Sequence, residues 1–252
     1  MIKEELVLDK LLSKPKHFYE KFHTSTFIRN WKKKQSTLLF DFSSVSYKGY
    51  PRLPAIPLPA PQLAIDVAIS DSLLKRRSER KINSKTIVSL KTLSTLLYFT
   101  AGDRSIKENK MTRRFYPSAG ALYPIETYFF ARKIDSLERA LYHYYVRSHC
   151  LERIDHLRGQ EVIRCFNQAW IKNAKGVVVF TAVFNRTTKK YGERGYRHVL
   201  IEAGHMAQNM YLVSAALGNK CCAIGGYLDS KVNKLLDIDG VTETIIYALA
   251  LL

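Results

Sequence analysis

The sequence predicts an α+β fold, with helices packed on a mixed, mostly antiparallel sheet, and three observations carry that expectation. GVVVFTAVF, residues 176–184, is an unbroken β-branched and aromatic run of the kind that forms a strand buried on both faces. Between 195 and 218, Val199, Ala203, Met206, Ala207, Met210, Val213 and Leu217 recur at helical spacing, which marks one long core helix. Residues 125–132 and 140–147, rich in Tyr, Phe and Val, read as strands ahead of both.

The other elements follow in chain order. Residues 1–62 read as an extension: a helical pattern near Leu6 to Leu12, a basic aromatic stretch, then YPRLPAIPLPAP. Pro51, Pro54, Pro57 and Pro59, with Pro61 beyond, exclude a regular helix and favour an extended, polyproline-like strap that wraps a surface without joining the core. The domain proper is then 63–252. Within it, 65–80 reads as a helix ending in KRRSER. Thr86 reads as the cap of a second helix through Tyr98, with Val88, Leu93, Leu96 and Leu97 near one face and Gly102 just past the end. Residues 162–170 suggest a helix, CCAIGGY a short strand breaking at Gly225-Gly226, 231–236 a helical turn or two, and ETIIYALALL a last strand.

At 252 residues and 46% apolar content the chain can bury a sizeable core. No apolar run approaches the roughly 18 to 20 residues that a spanning helix needs, and MIKEELVLDK lacks the layout of a signal peptide, so a soluble cytoplasmic protein is expected, without a membrane partner. A formal charge of +18 draws anionic partners without choosing among them. The only tight basic run is Lys32-Lys33-Lys34, which reads as a solvated or protein-docking face, so nucleic acid is not the expected partner. Cys150, Cys165, Cys221 and Cys222 have neither CxxC spacing nor paired histidines; they read as reduced, mostly buried thiols, and no metal site is expected.

Four segments carry chemistry. Arg76-Arg77-Ser78-Glu79-Arg80 gathers guanidinium forks around a hydroxyl, a donor set suited to a phosphate monoester, although a solvated helix end has the same composition. In YPSAGALYP, 116–124, two prolines fix the chain direction around the small residues Ser118, Ala119 and Gly120, which leaves backbone N–H groups open to something flat or anionic. Gly225 and Gly226 permit close backbone approach at a strand end, or simply a tight turn. In TTKKYGERGYR, Lys190 lies among Arg186, Lys189, Arg194 and Arg197; crowded cations and desolvation lower a lysine pKa and make a usable base, with Tyr191 beside it as donor.

Taken together, YPRLPAIPLP, RRSER, LSTLLYFTAG, RRFYPSAGALYPIE, ALYHY, KYGERGYRHVLIEAGHMAQNMYLVSAALG, IGGYLDSKVNKLLDIDG and IIYALAL resemble the SagB-type (McbC-like) azoline dehydrogenases, a branch of the nitroreductase-like flavoproteins. The resemblance covers nearly the whole chain. It implies a nitroreductase-like fold, a homodimer and FMN. By the resemblance, Arg76, Arg77, Ser78 and Arg80 hold the ribityl phosphate, Pro117, Ser118, Ala119 and Gly120 border the flavin across the dimer interface, and Gly225 and Gly226 present a backbone N–H to its N5. Asn209 is counted with the cofactor-binding residues. The chain ends at ALALL without the further Lys/Arg clamp of nitroreductases, so Arg194 or Arg197 is expected to substitute.

Lys190 and Tyr191 fall where azoline dehydrogenases carry their catalytic pair. The implied reaction takes a Cα proton to Lys190 and a hydride from Cβ to FMN, turning a thiazoline or oxazoline of a ribosomally made peptide into an azole. Two other readings are a reductase of the same fold acting on another dehydro-amino-acid, peptide or small electron-poor substrate, and a flavin-free scaffold that docks a cyclodehydratase or leader peptide.

Overall fold

The computed structural model describes residues 18–27, 47–80, 86–104, 113–155 and 160–252. The helical pattern expected near Leu6 to Leu12 and the Lys32-Lys33-Lys34 run lie outside the described residues. At the centre, β5 (Gly176–Val183) pairs on one side with β2 (Ile125–Ala131) and on the other with β7 (Glu243–Leu251). The unbroken run of Val and Phe suits a strand with partners on both edges and side chains buried on both faces. With β1 (Ala55–Pro57), β3 (Leu141–Tyr145), β4 (Cys150–Asp155) and β6 (Cys221–Ile224), these strands form a seven-stranded sheet of order β1-β4-β3-β2-β5-β7-β6. Every named pair is antiparallel, and among the described residues parallel contacts occur only as isolated bridges, Ser78 to Cys221 and Val88 to Ile134. The mixed, mostly antiparallel sheet expected from the sequence is the one observed.

Seven α-helices accompany the sheet among the described residues: α1 (Phe18–Ser25), α2 (Ile69–Lys75), α3 (Leu90–Ala101), α4 (Gln160–Ile163), α5 (Asn185–Tyr191), α6 (Arg194–Ala216) and α7 (Asp229–Leu235). Alternation along the strands sends Ile125, Phe129, Val178 and Phe180 to one face, where Leu93, Leu97, Met206 and Met210 of α3 and α6 meet them. Tyr128, Phe130, Val177 and Val179 go to the other, against Val162, Ile171, Val232 and Leu236. Removing such side chains from water, at roughly 1.5–3 kcal/mol each, is the main force fixing α6 across the sheet.

Several boundaries differ from the sequence reading. The expected 65–80 helix is only α2, because at Arg76 the backbone turns extended and Ser78 bridges Cys221 beside β6. Ser89, not Thr86, caps α3 by accepting from the Thr92 N–H, since Val88 is held by its bridge to Ile134; Gly102 does close the helix, its N–H donating to the Tyr98 carbonyl at 2.7 Å. The expected 162–170 helix splits into α4 and a 3₁₀ turn at Ala169–Asn173, because Phe166 and Asn167 pair with Tyr227 and Gly226 instead.

The proline strap is extended as expected, yet it does join the body of the protein. Residues 55–57 add an edge strand to β4, where prolines cost no ladder bond, and Leu58 is buried against the main core. His149 holds this strap through a one-way relay. Ser94 donates to the Pro59 carbonyl, so its oxygen accepts from His149 Nε2 at 2.7 Å, and His149 Nδ1 accepts from the Tyr144 hydroxyl at 2.7 Å. All four cysteines are buried.

Candidate active site

The YPSAGALYP segment folds into a tight 3₁₀ turn, Ala119–Ala121, with Gly120, Ala121 and Tyr123 all at positive φ. Left-handed backbone at two non-glycine residues stores strain of order 1–3 kcal/mol each, so the turn persists only if its surroundings over-determine it. They do: Ser118 Oγ accepts from the Tyr123 N–H at 3.0 Å, and Arg114 reaches the Tyr116 hydroxyl at 3.0 Å while its guanidinium lies 4.9 Å from the Tyr123 ring.

Gly120 points at α5. A side chain there would begin 2.9 Å from Tyr191 Oη and 3.0 Å from Lys190 Nζ. The turn and the Lys190-Tyr191 pair, 70 residues apart in the numbering, are thus brought together within one chain. The Lys190 ammonium lies 5.4 Å from the Tyr191 ring, whose other side packs edge-on against His198 at 5.2 Å. Lys190 itself is exposed in its own chain, so the desolvation expected at this lysine is not supplied there. The crowd of cations is also dispersed: Arg186 pairs with Glu126 at 2.6 Å, while Arg194 and Arg197 donate to the Thr26 and His23 carbonyls at the end of α1.

Beneath the turn lies Glu202 of α6, a residue the sequence reading passed over. It is buried and faces Ser118, but neither carboxylate oxygen has a hydrogen-bonding partner of good geometry. Burial pushes its pKa up to about 8, against the opposing pull of Ser118 and Arg114. At neutral pH this side chain is therefore largely a neutral acid. A carboxylic acid on a long amphipathic helix has no sequence signature distinguishing it from a surface glutamate until the partner segment is placed.

A second cluster lies farther along α6, roughly 14 Å from Glu202 by helical rise to Tyr211. Here Lys75, Arg76, Arg77, Glu79, Tyr211, Ser214, Asn219 and Lys220 line a cavity of about 110 Å³, in which the Glu79 carboxylate lies 3.8 Å from Lys220 Nζ. Tyr211 accepts from the Ala223 N–H at 2.7 Å and sits 3.0 Å from Ser78 Oγ; when it donates to Ser78, the serine hydroxyl proton is left for a ligand. The Arg76 guanidinium rests 5.5 Å from the Tyr211 ring. Ser214 Oγ is buried and, apart from the neighbouring Cys221 thiol, lacks a partner. Lys75, Arg76 and Arg77, beside the Lys220–Glu79 pair and two hydroxyls, make a donor set that suits a phosphate monoester. Of the expected phosphate residues, Arg76 and Arg77 line the cavity and Ser78 borders it; Arg80 is exposed, and its described contact is a backbone bond to Glu79. Lys220 and Lys75 were missed, because lone lysines beside a strand and a helix end carry no pattern.

The glycine pair divides its labour. Gly226 is pinned, since a side chain would begin 2.2 Å from Asn167 Oδ1, whereas a side chain built on Gly225 would meet no atom within 4 Å, so that this side of the backbone is open to a ligand. Asn209 ties α6 to the Phe99 and Phe115 carbonyls at 3.3 and 3.2 Å. Arg194 and Arg197 stand at the start of α6, roughly 25 and 21 Å by helical rise from Tyr211.

An antiparallel sheet carries the long core helix, with the basic cavity toward one end of it and the small-residue turn toward the other, and the comparisons with known proteins assign this frame to an oxidoreductase family. Residues 73–251 match the nitroreductase family, and the chain belongs to that family. A Methanocaldococcus jannaschii protein named as a nitroreductase, MJ1384, is 35% identical over 175 residues, covering 69% of this chain and 86% of its own. The microcin B17-processing protein McbC of Escherichia coli is 32% identical over 187 residues, covering 69% of this chain and 66% of its own, just under two thirds. Among solved structures, a nitroreductase from Anabaena variabilis superposes with a TM-score of 0.71 at 27% identity, over 92% of this chain and 45% of that one.

Proposed function

We propose that the protein is an FMN-dependent dehydrogenase that oxidises azoline rings, thiazoline or oxazoline, to azoles in a ribosomally made peptide. The observation that carries this reading is the placing of Lys190 Nζ and Tyr191 Oη against the Gly120 turn of the same chain. A similarity to McbC, named for processing microcin B17, supports the peptide substrate.

Arg76, Ser78, Lys220 and the Ser214 hydroxyl would hold the FMN phosphate, and Gly225 would offer its backbone to the flavin ring. Bound FMN would supply the two-electron acceptor for the hydride leaving Cβ of the azoline. Lys190, in its free-amine form, takes the Cα proton, because its nitrogen projects at the turn where a flat ring can lie. Tyr191 orients that amine and donates to the ring heteroatom or carbonyl. The turn supplies a small, rigid floor that a larger residue at 120 would fill.

The phosphate cavity and the Lys190 turn lie toward different ends of α6, and we read them as halves of a site shared between two chains of a homodimer. Leu200, Ile201, Leu73 and Leu74 are exposed apolar residues on α6 and α2, with Gly204 opening α6 to close approach. A two-fold pairing through this stripe would bring one chain's turn to the other's phosphate cavity. The dimer is proposed to act in the cytoplasm, alone or in a complex with a cyclodehydratase.

Purified protein, reconstituted and gel-filtered, should carry FMN near one per chain. Stoichiometric FAD, or no flavin at all, would overturn the reading; the latter result is the one a flavin-free scaffold gives.

A further inference from the structure

A row of four alternating charges runs through the interior beneath the candidate site. Arg186, in the first turn of α5, ion-pairs with Glu126 of β2 at 2.6 Å. The other oxygen of Glu126 faces His143 Nε2 at 3.3 Å, and His143 Nδ1 faces Glu152 of β4 at 2.8 Å. Glu152 ends the row by accepting from the Tyr50 N–H at 2.9 Å. The pleat explains the order, since Tyr128 pairs with His143 and His143 with Glu152 across adjacent strands, while Glu126 sits two residues from Tyr128 on the same face.

Both ring nitrogens of His143 point at carboxyl groups, and because a carboxylate only accepts, this arrangement favours the doubly protonated ring. With the ring protonated the row alternates Arg⁺, Glu⁻, His⁺, Glu⁻, and the buried Arg114 guanidinium adds a further positive charge acting on Glu126. The phenols of Tyr128 and Tyr50 also face His143, their rings 5.0 and 5.2 Å away, and beyond them lies the Lys48–Glu243 ion pair, which bonds to the Tyr128 hydroxyl. Burial opposes the imidazolium charge, but the bonds to Glu126 and Glu152 outweigh it and raise the His143 pKa; against its own burial, Glu126 is held down at about 2 by His143, Arg186 and Arg114.

Four desolvated charges are costly, and apolar side chains of similar volume would serve stability as well or better. What the row does contribute is position. Arg186 lies one helical turn before Lys190, and besides Glu126 it donates to the Tyr123 carbonyl at 3.1 Å, at the end of the Gly120 turn. A single guanidinium thus ties both parts of the candidate site to the sheet. We propose that Arg186 and Glu126 are positioning residues, held by His143 and Glu152, that set where Lys190 and Tyr191 stand relative to the Gly120 turn. Calling that placement functional rests on the dehydrogenase reading above.

The test reads placement without any substrate. Trace acetic anhydride labels lysines by exposure and basicity, and mass spectrometry then compares Lys190 with Lys189 on the same helix and with the buried Lys175. In the wild type the turn should hold Lys190 to a labelling rate several-fold different from that of Lys189. In Glu126→Gln and Arg186→Gln that difference should collapse, Arg186→Lys should restore part of it, and Lys175 should stay protected. If the difference between Lys190 and Lys189 is unchanged in folded variants, or if Lys175 opens equally, the row is structural only and the proposal fails. Should the variants not fold, nitrogen-15 NMR of wild-type His143 decides: both ring nitrogens protonated at neutral pH supports the row, and a neutral ring overturns it. FMN binding by the wild type is scored separately, so loss of the dehydrogenase reading leaves a distinct signature.

Discussion

Lys190 Nζ lies 3.0 Å from the point where a side chain on Gly120 would begin, although neither residue's local sequence announces the other. The contact leaves no room for a methyl group, and the φ of +64° at Gly120 is one that glycine adopts without strain. Gly120→Ala should therefore cost roughly 1–2 kcal/mol in backbone strain and displace Lys190 or Tyr191. A fall of a few degrees in melting temperature together with a loss of turnover larger than the loss of FMN affinity is the expected pattern. Wild-type turnover in Gly120→Ala would mean the turn does not bound the reacting ring.

If the turn of one chain serves the phosphate cavity of another, two defects on opposite parts should complement. Mixed dimers of Gly120→Ala and Arg76→Ala chains should recover some activity, because one of the two sites is then intact. Dimers confirmed by mass but wholly inactive would place the site within a single chain.

Lys220 and Arg76 are expected to carry the FMN phosphate. Replacing either with Ala should weaken FMN roughly 3- to 30-fold, the lower part of the range for a charge-assisted bond because both groups are partly solvated. The loss should shrink with added salt. Arg197→Ala should instead loosen α1, seen as faster proteolysis near residues 23–27, with FMN affinity little changed. An Arg197 variant that loses FMN with α1 still docked would return the clamp to the helix start.

How much of this was legible in the sequence differs from element to element, for physical reasons. The Val/Phe run of β5 and the apolar repeat of α6 were readable because burial on one or both faces leaves a period in the residues themselves. The KRRSER segment read as helix because its propensities favour one, and it becomes extended only through the bridge from Ser78 to Cys221, a partner 143 positions away. The strap's edge strand was hidden by the prolines that an edge tolerates. At the candidate site, the small turn and the Lys-Tyr pair stood out as residue types, whereas Glu202, Tyr211, Lys220 and the row beneath Arg186 take their meaning from contacts between distant segments.

Glu202 gives the protein a distinctive pH response. Its pKa rises on folding to about 8 because burial penalises the carboxylate, so between the ordinary glutamate range and pH 8 the native state binds the extra proton. Stability from this group is present at acid pH and is lost as pH rises through that window. Glu202→Gln should flatten the decline, making the variant gain on the wild type between pH 5 and pH 8 in denaturant titrations. His149 has the opposite sign: burial lowers its pKa, so its contribution is lost as pH falls below the unfolded histidine value. A Glu202→Gln variant with the wild-type slope would show that the buried acid is ionised at neutral pH.

The most direct test is a comparison of Lys190→Ala with Lys189→Ala on a peptide carrying a thiazoline, followed by mass spectrometry for the loss of two hydrogens. With flavin content matched, Lys190→Ala should slow azole formation by on the order of 10² to 10⁴, the range for a positioned proton-transfer group. Lys189→Ala, with the same charge change one residue away, should stay close to the wild type. Equal losses in both variants would assign the effect to charge alone. A Lys190→Ala protein that retains FMN and oxidises the thiazoline at the wild-type rate would contradict the account.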